Sequence, residues 1–183
     1  HIMFAHKPDW KDIETPCIWK ASRFGYDGFG VKKIETQSDW ESIPDVPCIL
    51  EDCVSIAKEI AVIVSRNDKG ECVSYRPVEM EFHPEANQVE YVICPARIDE
   101  PLAQKAQEVA LQVSRALKHE GLLAVELFAT STGDILVNEV APRPHNSGHY
   151  SIEASYTNQF EQHLRAILDL PLGDTRSKAA GIM

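Results

Sequence analysis

The sequence is poor in positive charge. Its 183 residues include 18 Lys and Arg against 28 Asp and Glu, which gives a formal net charge of −10 at pH 7. Nucleic-acid-binding surfaces need clustered basic residues to neutralise phosphates, so this composition argues against a nucleic-acid partner. No apolar run approaches the roughly 20 residues that cross a bilayer, and the longest, at residues 60–64, fits a buried strand. We therefore expect no membrane partner either.

The cysteines are odd in number and irregularly spaced. Five cysteines without a CxxC pair predict reduced, mostly buried thiols, as expected for a cytoplasmic protein. The 44% hydrophobic content is high enough to build a core and argues against disorder. The length suits one ordinary domain or two small lobes that share a cleft.

The two ends predict a piece of a longer chain. A histidine precedes the first methionine at residues 1–3, and the last five residues, 179–183, are apolar or glycine. Natural termini are usually polar and exposed, so we expect an excised segment; a frayed natural tail is the alternative.

The apolar pattern predicts an α+β fold with mainly antiparallel sheets and packed helices. Strands are expected at residues 17–22, 31–34, 48–51, 58–65, 71–78, 88–94, 124–130 and 135–141. Ser38 with Glu41 resembles a capping box and predicts a short helix at this point. A long helix is expected to start after Asp99 and to end at Gly121. A second helix is expected to pack through one apolar face, formed by Phe160, Leu164, Ile167 and Leu168.

The most informative local feature is a predicted hairpin of two strands joined by the turn at residues 131–134. A tight turn that pairs Thr130 with Ile135 sets Glu126 opposite Glu139. Directly opposed residues have Cβ atoms about 4.5–5.5 Å apart, and like charges placed so are destabilising. Because the neighbouring residues are apolar, this pair favours a bound cation, and hard oxygen ligands favour Mg²⁺.

Other interpretations of the hairpin stay open. The two glutamates could lie at an exposed rim of the sheet, or one of them could pair with Arg143. A slip of one residue in register would separate them. Asn138 could add a carbonyl oxygen, although a regular strand would start its side chain toward the opposite face.

A glycine-rich loop precedes the second predicted strand. Gly25, Gly28 and Gly30 can direct backbone N–H groups toward an anion, and Lys20 and Arg23 lie just before them. The spacing matches neither a P-loop nor a dinucleotide-binding loop. Taken by itself, a plain hairpin turn is the stronger interpretation of this segment.

A polar run, residues 143–149, follows the carboxylate hairpin directly. Such runs at strand ends often hold functional sites. His145 and His149 could be zinc ligands, but no helix fixes their spacing and no cysteine joins them, so zinc is disfavoured. Structural histidines are the alternative to a site.

These features occur in an order that resembles the ATP-grasp ligases. The set consists of Lys20, the GYDG loop at 25–28, a strand ending in Glu51, Glu126, Asn138-Glu139 and Arg143. The run NEVAPRPHNSGH at 138–149, with QFE at 159–161 and LRAILDLP at 164–171, resembles the 5-(carboxyamino)imidazole ribonucleotide synthetase family more closely. The resemblance spans about residues 18–172. It implies an ATP-grasp fold with two lobes around a nucleotide cleft: a partial small lobe at 4–52, a large lobe at 53–172, and at 173–183 a linker into a further domain.

The resemblance also implies roles for individual residues. Lys20, Arg143 and His145 would act in catalysis. The nucleotide would be bound by Lys20, Gly25, Tyr26, Asp27, Gly28, Phe29, Gly30, Val31, Glu51, Asp52, Cys53, Val54, Glu59, His83, Asn138 and Glu139. Magnesium would be held by Glu126 and Glu139, in agreement with the hairpin count.

The implied reaction is the ATP-dependent carboxylation of 5-aminoimidazole ribonucleotide in purine biosynthesis. ATP would phosphorylate bicarbonate to carboxyphosphate, and the amine of the ribonucleotide would capture the carboxyl group. The implied cofactors are ATP and Mg²⁺, and the family implies a homodimer. Phe29 stands where the family has Lys or Arg, which removes a cation that could meet the substrate phosphate. Because the family's flanking domains are missing, we expect this chain to catalyse little alone; another ATP-grasp carboxylase or ligase, or a non-catalytic nucleotide-binding module, are the alternatives.

Overall fold

A computed structural model describes residues 1–23, 30–83 and 88–183, which form two units with separate sheets. The strands are β1 (Ile2–Phe4), β2 (Cys17–Ala21), β3 (Val31–Ile34), β4 (Cys48–Asp52), β5 (Ile56–Arg66), β6 (Cys72–Ser74), β7 (Val78–Phe82), β8 (Val89–Cys94), β9 (Gly121–Thr130), β10 (Ile135–Ala141) and β11 (Gly181–Ile182). The helices are α1 (Gln37–Ser42), α2 (Glu100–Leu117), α3 (Ser151–Ala154) and α4 (Gln159–Ile167), with 3₁₀ turns at Trp10–Asp12 and Asn146–Gly148. The predicted α+β class with antiparallel sheets is confirmed.

The first unit, His1–Ser55, contains a four-stranded antiparallel sheet in the order β1-β4-β2-β3. One face of this sheet buries a core that includes Trp19, Trp40 and Leu50. Helix α1 starts earlier than predicted, because Thr36 caps it: its side chain accepts from the Asp39 N–H, and the Asp39 carboxylate accepts from the Thr36 N–H. The capping box predicted at Ser38 and Glu41 is therefore wrong.

The second unit, Ile56–His83 with Val89–Met183, contains an antiparallel sheet in the order β10-β9-β5-β7-β8-β11, with β6 paired to β5. Alternation along β5 turns Ile60, Val62 and Val64 toward α2, whose Ala106 and Ala110 pack against them. The opposite face carries a second cluster that includes Ala61, Met80, Val92 and Tyr150. This opposite face also carries the acidic residues described below.

Two predicted boundaries in the second unit are wrong. The strand expected at 71–78 is two strands, β6 and β7, which pair with different parts of β5 and are separated by residues 75–77, where Pro77 has no N–H to donate. The Tyr75 side chain is buried, and its hydroxyl donates to the Thr157 carbonyl at 2.9 Å. Helix α2 ends at Leu117 with Lys118 in the left-handed region, at φ 52°, so that Gly121 begins β9 rather than ending the helix.

Helix α4 exposes its apolar face, which was predicted to be buried. Its apolar residues Phe160, Leu164 and Ile167, and Leu168 just after it, are 41–63% exposed, whereas Gln159 and Gln162 are fully buried. A cavity of about 530 Å³ lies beside this exposed face, among residues that include Tyr150, Phe160 and Met183. The prediction that the apolar face packs inside the fold is therefore wrong for the described residues.

No helix in the three described segments is long and apolar enough to cross a membrane. All five cysteines are free thiols. Cys17, Cys48 and Cys94 are buried, as predicted for most of them, while Cys53 is exposed.

Candidate nucleotide and metal site

The hairpin of β9 and β10 turns through a three-residue loop. The Thr130 N–H donates to the Asp134 carbonyl at 2.9 Å, and the Gly133 N–H donates to the Thr130 carbonyl at 3.1 Å. Gly133 adopts φ +81°, a left-handed conformation that glycine tolerates well. Ile135 consequently faces Ala129 rather than Thr130, and the predicted pairing at the turn is wrong by one residue.

A β-bulge corrects this offset further along the hairpin. The register shifts between Val137 and Glu139, so that Glu139 faces Glu126 as predicted. In a bulge, two residues of one strand oppose a single residue of the partner strand, and here Asn138 is the extra residue. Without the bulge, the observed turn would set Asn138 opposite Glu126. The facing glutamates are confirmed, although the prediction reached them through a different turn.

A third carboxylate shares this face of the sheet. Glu59 on β5 faces Phe128, while Ala61 faces Glu126. Because side chains alternate along a strand, Glu59 and Glu126 are diagonal neighbours on one face, with Glu139 across from Glu126. Glu139 is exposed on the outermost strand, whereas the Glu126 side chain on the inner strand is only 13% exposed. The exposed-rim interpretation therefore describes Glu139 but not Glu126.

The surroundings of Glu126 disfavour its negative charge. Burial is the largest cause, followed by the charges of Glu139 and Glu59, and together they raise the pKa of Glu126 to about 7 despite the opposing charge of Arg143. Burial also raises the pKa of Glu59. A carboxylate cluster of this kind gains stability when a cation binds beside it.

His145 lies next to Glu126. Its Nε2 lies 3.4 Å from Glu126 Oε1. Its Nδ1 lies 3.4 Å from the Ser147 backbone nitrogen and 2.9 Å from Ser147 Oγ. Burial, followed by the charges of Arg143 and His149, lowers the pKa of His145 to about 4, so the imidazole is neutral. Arg143 donates to the Pro144 carbonyl at 3.1 Å. The alternative that Arg143 pairs with one of the two glutamates is not observed, since the described residues contain no ion pair between them.

The residues present fit a magnesium site in which protein carboxylates and nucleotide phosphates both ligate the ion. Among the described residues, no group of three or more His, Cys, Asp and Glu side chains could hold a metal ion by itself. Mg²⁺ in nucleotide sites is usually bound by one or two carboxylates together with phosphate oxygens and water. Glu126 and Glu139 supply such a pair of carboxylates.

A cavity of about 360 Å³ adjoins Glu59. It is lined by Ile56, Ala57, Lys58, Glu59, Glu79, Met80, Glu81 and Phe82. His83 follows β7 directly at this end of the sheet. The structure thus brings Glu59 to a cavity on the sheet that also carries Glu126 and Glu139.

Sequence reasoning missed a buried ion-pair network next to this cavity. Glu79 is 4% exposed and accepts hydrogen bonds from Lys58 Nζ at 2.7 Å and from Arg97 Nη2 at 2.6 Å. Burial opposes ionisation, but the hydrogen bonds from Arg97 and Lys58 lower the pKa of Glu79 to about 2. Alternating Val, Glu, Met and Glu residues at 78–81 are typical of a half-exposed strand, so no signal in the sequence marked Glu79 as buried.

The predicted site residues of the first unit lie on β2, β3 and β4. Lys20 Nζ pairs with Glu51 Oε2 at 2.8 Å, across adjacent strands and on the face turned away from the buried core. Beyond Glu51, the residues Asp52, Cys53 and Val54 are exposed. The predicted loop residues Gly25, Tyr26, Asp27, Gly28 and Phe29 lie outside the described residues, whereas Gly30 has φ +75° and Val31 begins β3.

Comparison with known proteins agrees with these features. Residues 5–160 match the family model of the ATP-grasp domain. The N5-carboxyaminoimidazole ribonucleotide synthase of Bacillus subtilis is 41% identical over 177 residues, which cover 94% of this chain and 46% of that protein.

Solved structures are similar as well. The crystal structure of N5-carboxyaminoimidazole ribonucleotide synthetase from Thermotoga maritima aligns with a TM-score of 0.83 at 45% identity, over 94% of this chain and 44% of that one. That of N5-carboxyaminoimidazole synthase from Aspergillus clavatus, in complex with ADP and 5-aminoimidazole ribonucleotide, also gives a TM-score of 0.83, at 33% identity over 94% and 46%. The chain thus spans less than half the length of these relatives.

Proposed function

Because the chain belongs to the ATP-grasp family, we propose that it is the ATP-binding part of an enzyme that carboxylates 5-aminoimidazole ribonucleotide with ATP and bicarbonate. The observation that carries this proposal is the facing pair Glu126 and Glu139 on the sheet face that also holds Glu59. Relatives named for this reaction match nearly the whole chain, which supports the choice of substrate.

In this proposal the sheet face with Glu59, Glu126 and Glu139, called the acidic face, binds the nucleotide with its metal. Glu126 and Glu139, with Asn138 beside them, would hold Mg²⁺, and the ion would supply positive charge next to the phosphoryl oxygens. Glu59 accepts hydrogen bonds from the ribose hydroxyls. The raised pKa of Glu126 supports a cation at this position, because a bound cation would offset the cost of ionising this buried carboxyl.

The first unit contributes the remaining contacts to ATP. We propose that Lys20 and residues 25–30 bind the phosphates and that backbone groups of residues 51–54 bind the adenine. Lys20 is paired with Glu51, so phosphate binding would compete with this ion pair.

The reaction then proceeds in two displacements. A bicarbonate oxygen attacks the γ-phosphorus of ATP and ADP leaves, which gives carboxyphosphate. The amine of the ribonucleotide attacks the carboxyl carbon, inorganic phosphate leaves, and the nitrogen loses a proton. Arg143 and His145, which follow the carboxylate strand directly, would contact bicarbonate and the ribonucleotide, and exclusion of water would protect carboxyphosphate from hydrolysis.

Because the chain is less than half as long as its relatives, we further propose that it turns over little ATP by itself. A homodimeric assembly of the whole enzyme and a cytoplasmic location complete the proposal and stay predictions.

A chimera tests the proposed function. This chain replaces the matching segment of the Bacillus subtilis relative, and ADP release is measured with ATP, Mg²⁺ and bicarbonate, with and without 5-aminoimidazole ribonucleotide. We expect ADP release that rises with the ribonucleotide, that is lost in Glu126→Gln, and that persists in the matched control Glu108→Gln, whose carboxylate is exposed on α2.

Two other outcomes would contradict the proposal. ADP release that ignores the ribonucleotide but rises with another acceptor would indicate a different ATP-grasp carboxylase or ligase. ATP binding without turnover would favour a nucleotide-binding module, the alternative that Phe29 encourages.

A further inference from the structure

Helix α4 buries two glutamines, and we propose that the first of them, Gln159, is a positioning residue that holds His145 against Glu126. Gln159 is not placed to touch ATP or bicarbonate itself, because its amide is used within the fold. The inference deepens the proposed function and rests on it for its consequence in metal binding.

Gln159 binds the backbone of His145 through both ends of its side-chain amide. Its Oε1 accepts from the His145 N–H at 2.9 Å, and its Nε2 donates to the His145 carbonyl at 2.8 Å. The side chain is fully buried, so water cannot replace either bond. Two hydrogen bonds to one residue fix both the position and the orientation of its peptide groups.

The backbone of Gln159 and its side-chain amide are each held in place. The Gln159 N–H donates to Ser151 Oγ at 3.0 Å, and the Ser151 hydroxyl donates to the Gly148 carbonyl at 2.5 Å. Gly148 also packs closely on the amide, since a Cβ at this position would lie 2.5 Å from Gln159 Oε1. The glutamine side chain therefore has little freedom to adopt another rotamer.

The two hydrogen bonds from Gln159 to the His145 backbone, called the clamp here, act on the acidic face through the His145 ring. Nε2 of this ring lies 3.4 Å from Glu126 Oε1. A group that orients a metal-binding carboxylate changes the metal affinity without contacting the metal. Gln159 would thus set the position of His145, and His145 that of the Glu126 carboxylate.

A purely structural role is the competing explanation, and the same helix offers a matched control. Gln162 is also fully buried, its Oε1 accepts from the Gly173 N–H at 2.8 Å, and its Nε2 donates to the Gly173 carbonyl at 3.2 Å. Each of the two glutamines makes two hydrogen bonds to the backbone of a single residue. Gly173, however, makes no contact with Glu126 or His145 among the described interactions.

The test compares Gln159→Met with Gln162→Met, because methionine keeps the length of the side chain and removes both hydrogen bonds. The ligand-free 183-residue chain is labelled with ¹⁵N-histidine, and the ring signals of its seven histidines are recorded, with His145→Asn identifying the His145 signal. We expect the His145 ring signals to move in Gln159→Met and to stay in Gln162→Met, while both variants lose similar thermal stability. Unchanged signals in Gln159→Met, or equal movement in both variants, would overturn the proposal.

A titration with Mg·ATP measures the functional consequence. Gln159→Met should weaken binding about tenfold, at the low end for groups that orient metal ligands, whereas Gln162→Met should leave it unchanged. Failure of the unmodified chain to bind Mg·ATP would count against the proposed function, whereas the histidine signals test the clamp independently of any nucleotide. If Gln159→Met does not fold, Gly148→Ala takes its place, since the added methyl group displaces the Gln159 amide; it should move the His145 signals, and its failure to do so would count against the clamp.

Discussion

Replacing Glu126 by glutamine should stabilise the ligand-free protein while abolishing its binding of Mg·ATP. The fold raises the pKa of this carboxyl from 4.5 to about 7, mainly by burial and then through Glu139 and Glu59. Ionising it in the folded state therefore costs about 3 kcal/mol relative to the unfolded chain. A neutral amide of the same shape avoids this cost.

The sign of the pH dependence follows from the raised pKa. Between pH 4.5 and about 7 the folded state holds this proton more tightly than the unfolded state does, so the stabilising contribution is complete at low pH and is lost as the pH rises through about 7. At pH 5 the carboxyl is protonated in the fold, and Glu126→Gln should differ little from the unmodified chain. At pH 8 the variant should be more stable by about 3 kcal/mol.

Urea unfolding of both proteins at pH 5 and pH 8 measures this difference. Glu108→Gln, on the exposed side of α2, removes the same charge without relieving a buried carboxylate and serves as the control. A Glu126→Gln variant that is equally stable or less stable than the unmodified chain at pH 8 would refute the idea that this carboxylate is held at a cost in the absence of metal.

Three further predictions concern the same electrostatics. Glu139→Gln should lower the pKa of Glu126 only in part, because burial is the larger cause, so some of the stability loss between pH 5 and 8 should persist on urea unfolding. Mg·ATP binding should release a proton near neutral pH and should weaken as much as tenfold per pH unit below about 7. Calorimetry in buffers of different ionisation enthalpy detects the released proton. Binding that does not depend on pH would contradict this prediction. Glu79→Gln should destabilise the fold by about 2 kcal/mol at pH 7, because Lys58 and Arg97 lose an ionised partner. The pKa of Glu79 is lowered to about 2, so this difference should shrink as the pH falls from 4.5 toward 2 in thermal melts, and a constant difference would contradict the assignment.

The sequence allowed the paired glutamates to be predicted, but not the way the hairpin sets them opposite each other. Alternation and the turn residues indicated two strands and one tight turn, which was enough to bring Glu126 near Glu139. The three-residue loop and the bulge at Asn138 each shift the register by one residue in opposite directions. Bulges are set by twist and by neighbouring strands, so local sequence does not reveal them.

Helix α4 marks a limit of periodicity as a guide to burial. Its apolar stripe is clear in the sequence, yet that stripe faces out and the glutamines face in. The buried amides satisfy the backbone of His145 and Gly173, which are distant in sequence. A demand for hydrogen bonds from remote segments cannot be inferred from the helix alone.

Local capping and strand breaks were predictable only in outline. Thr36 and Ser38 are both acceptable caps, and the choice between them depends on where the chain leaves β3. The order of the candidate site residues along the chain was a stronger signal, because it indicated the ATP-grasp family that residues 5–160 match.

The proposed metal site is tested most directly by a calorimetric titration of this chain with ATP in the presence and absence of Mg²⁺, repeated with Glu126→Gln, Glu139→Gln and Glu108→Gln. We predict binding that requires Mg²⁺, that is lost in both hairpin variants and that is kept in Glu108→Gln. Binding that is the same in all four proteins would contradict the claim that the facing glutamates of β9 and β10 hold the metal of the nucleotide.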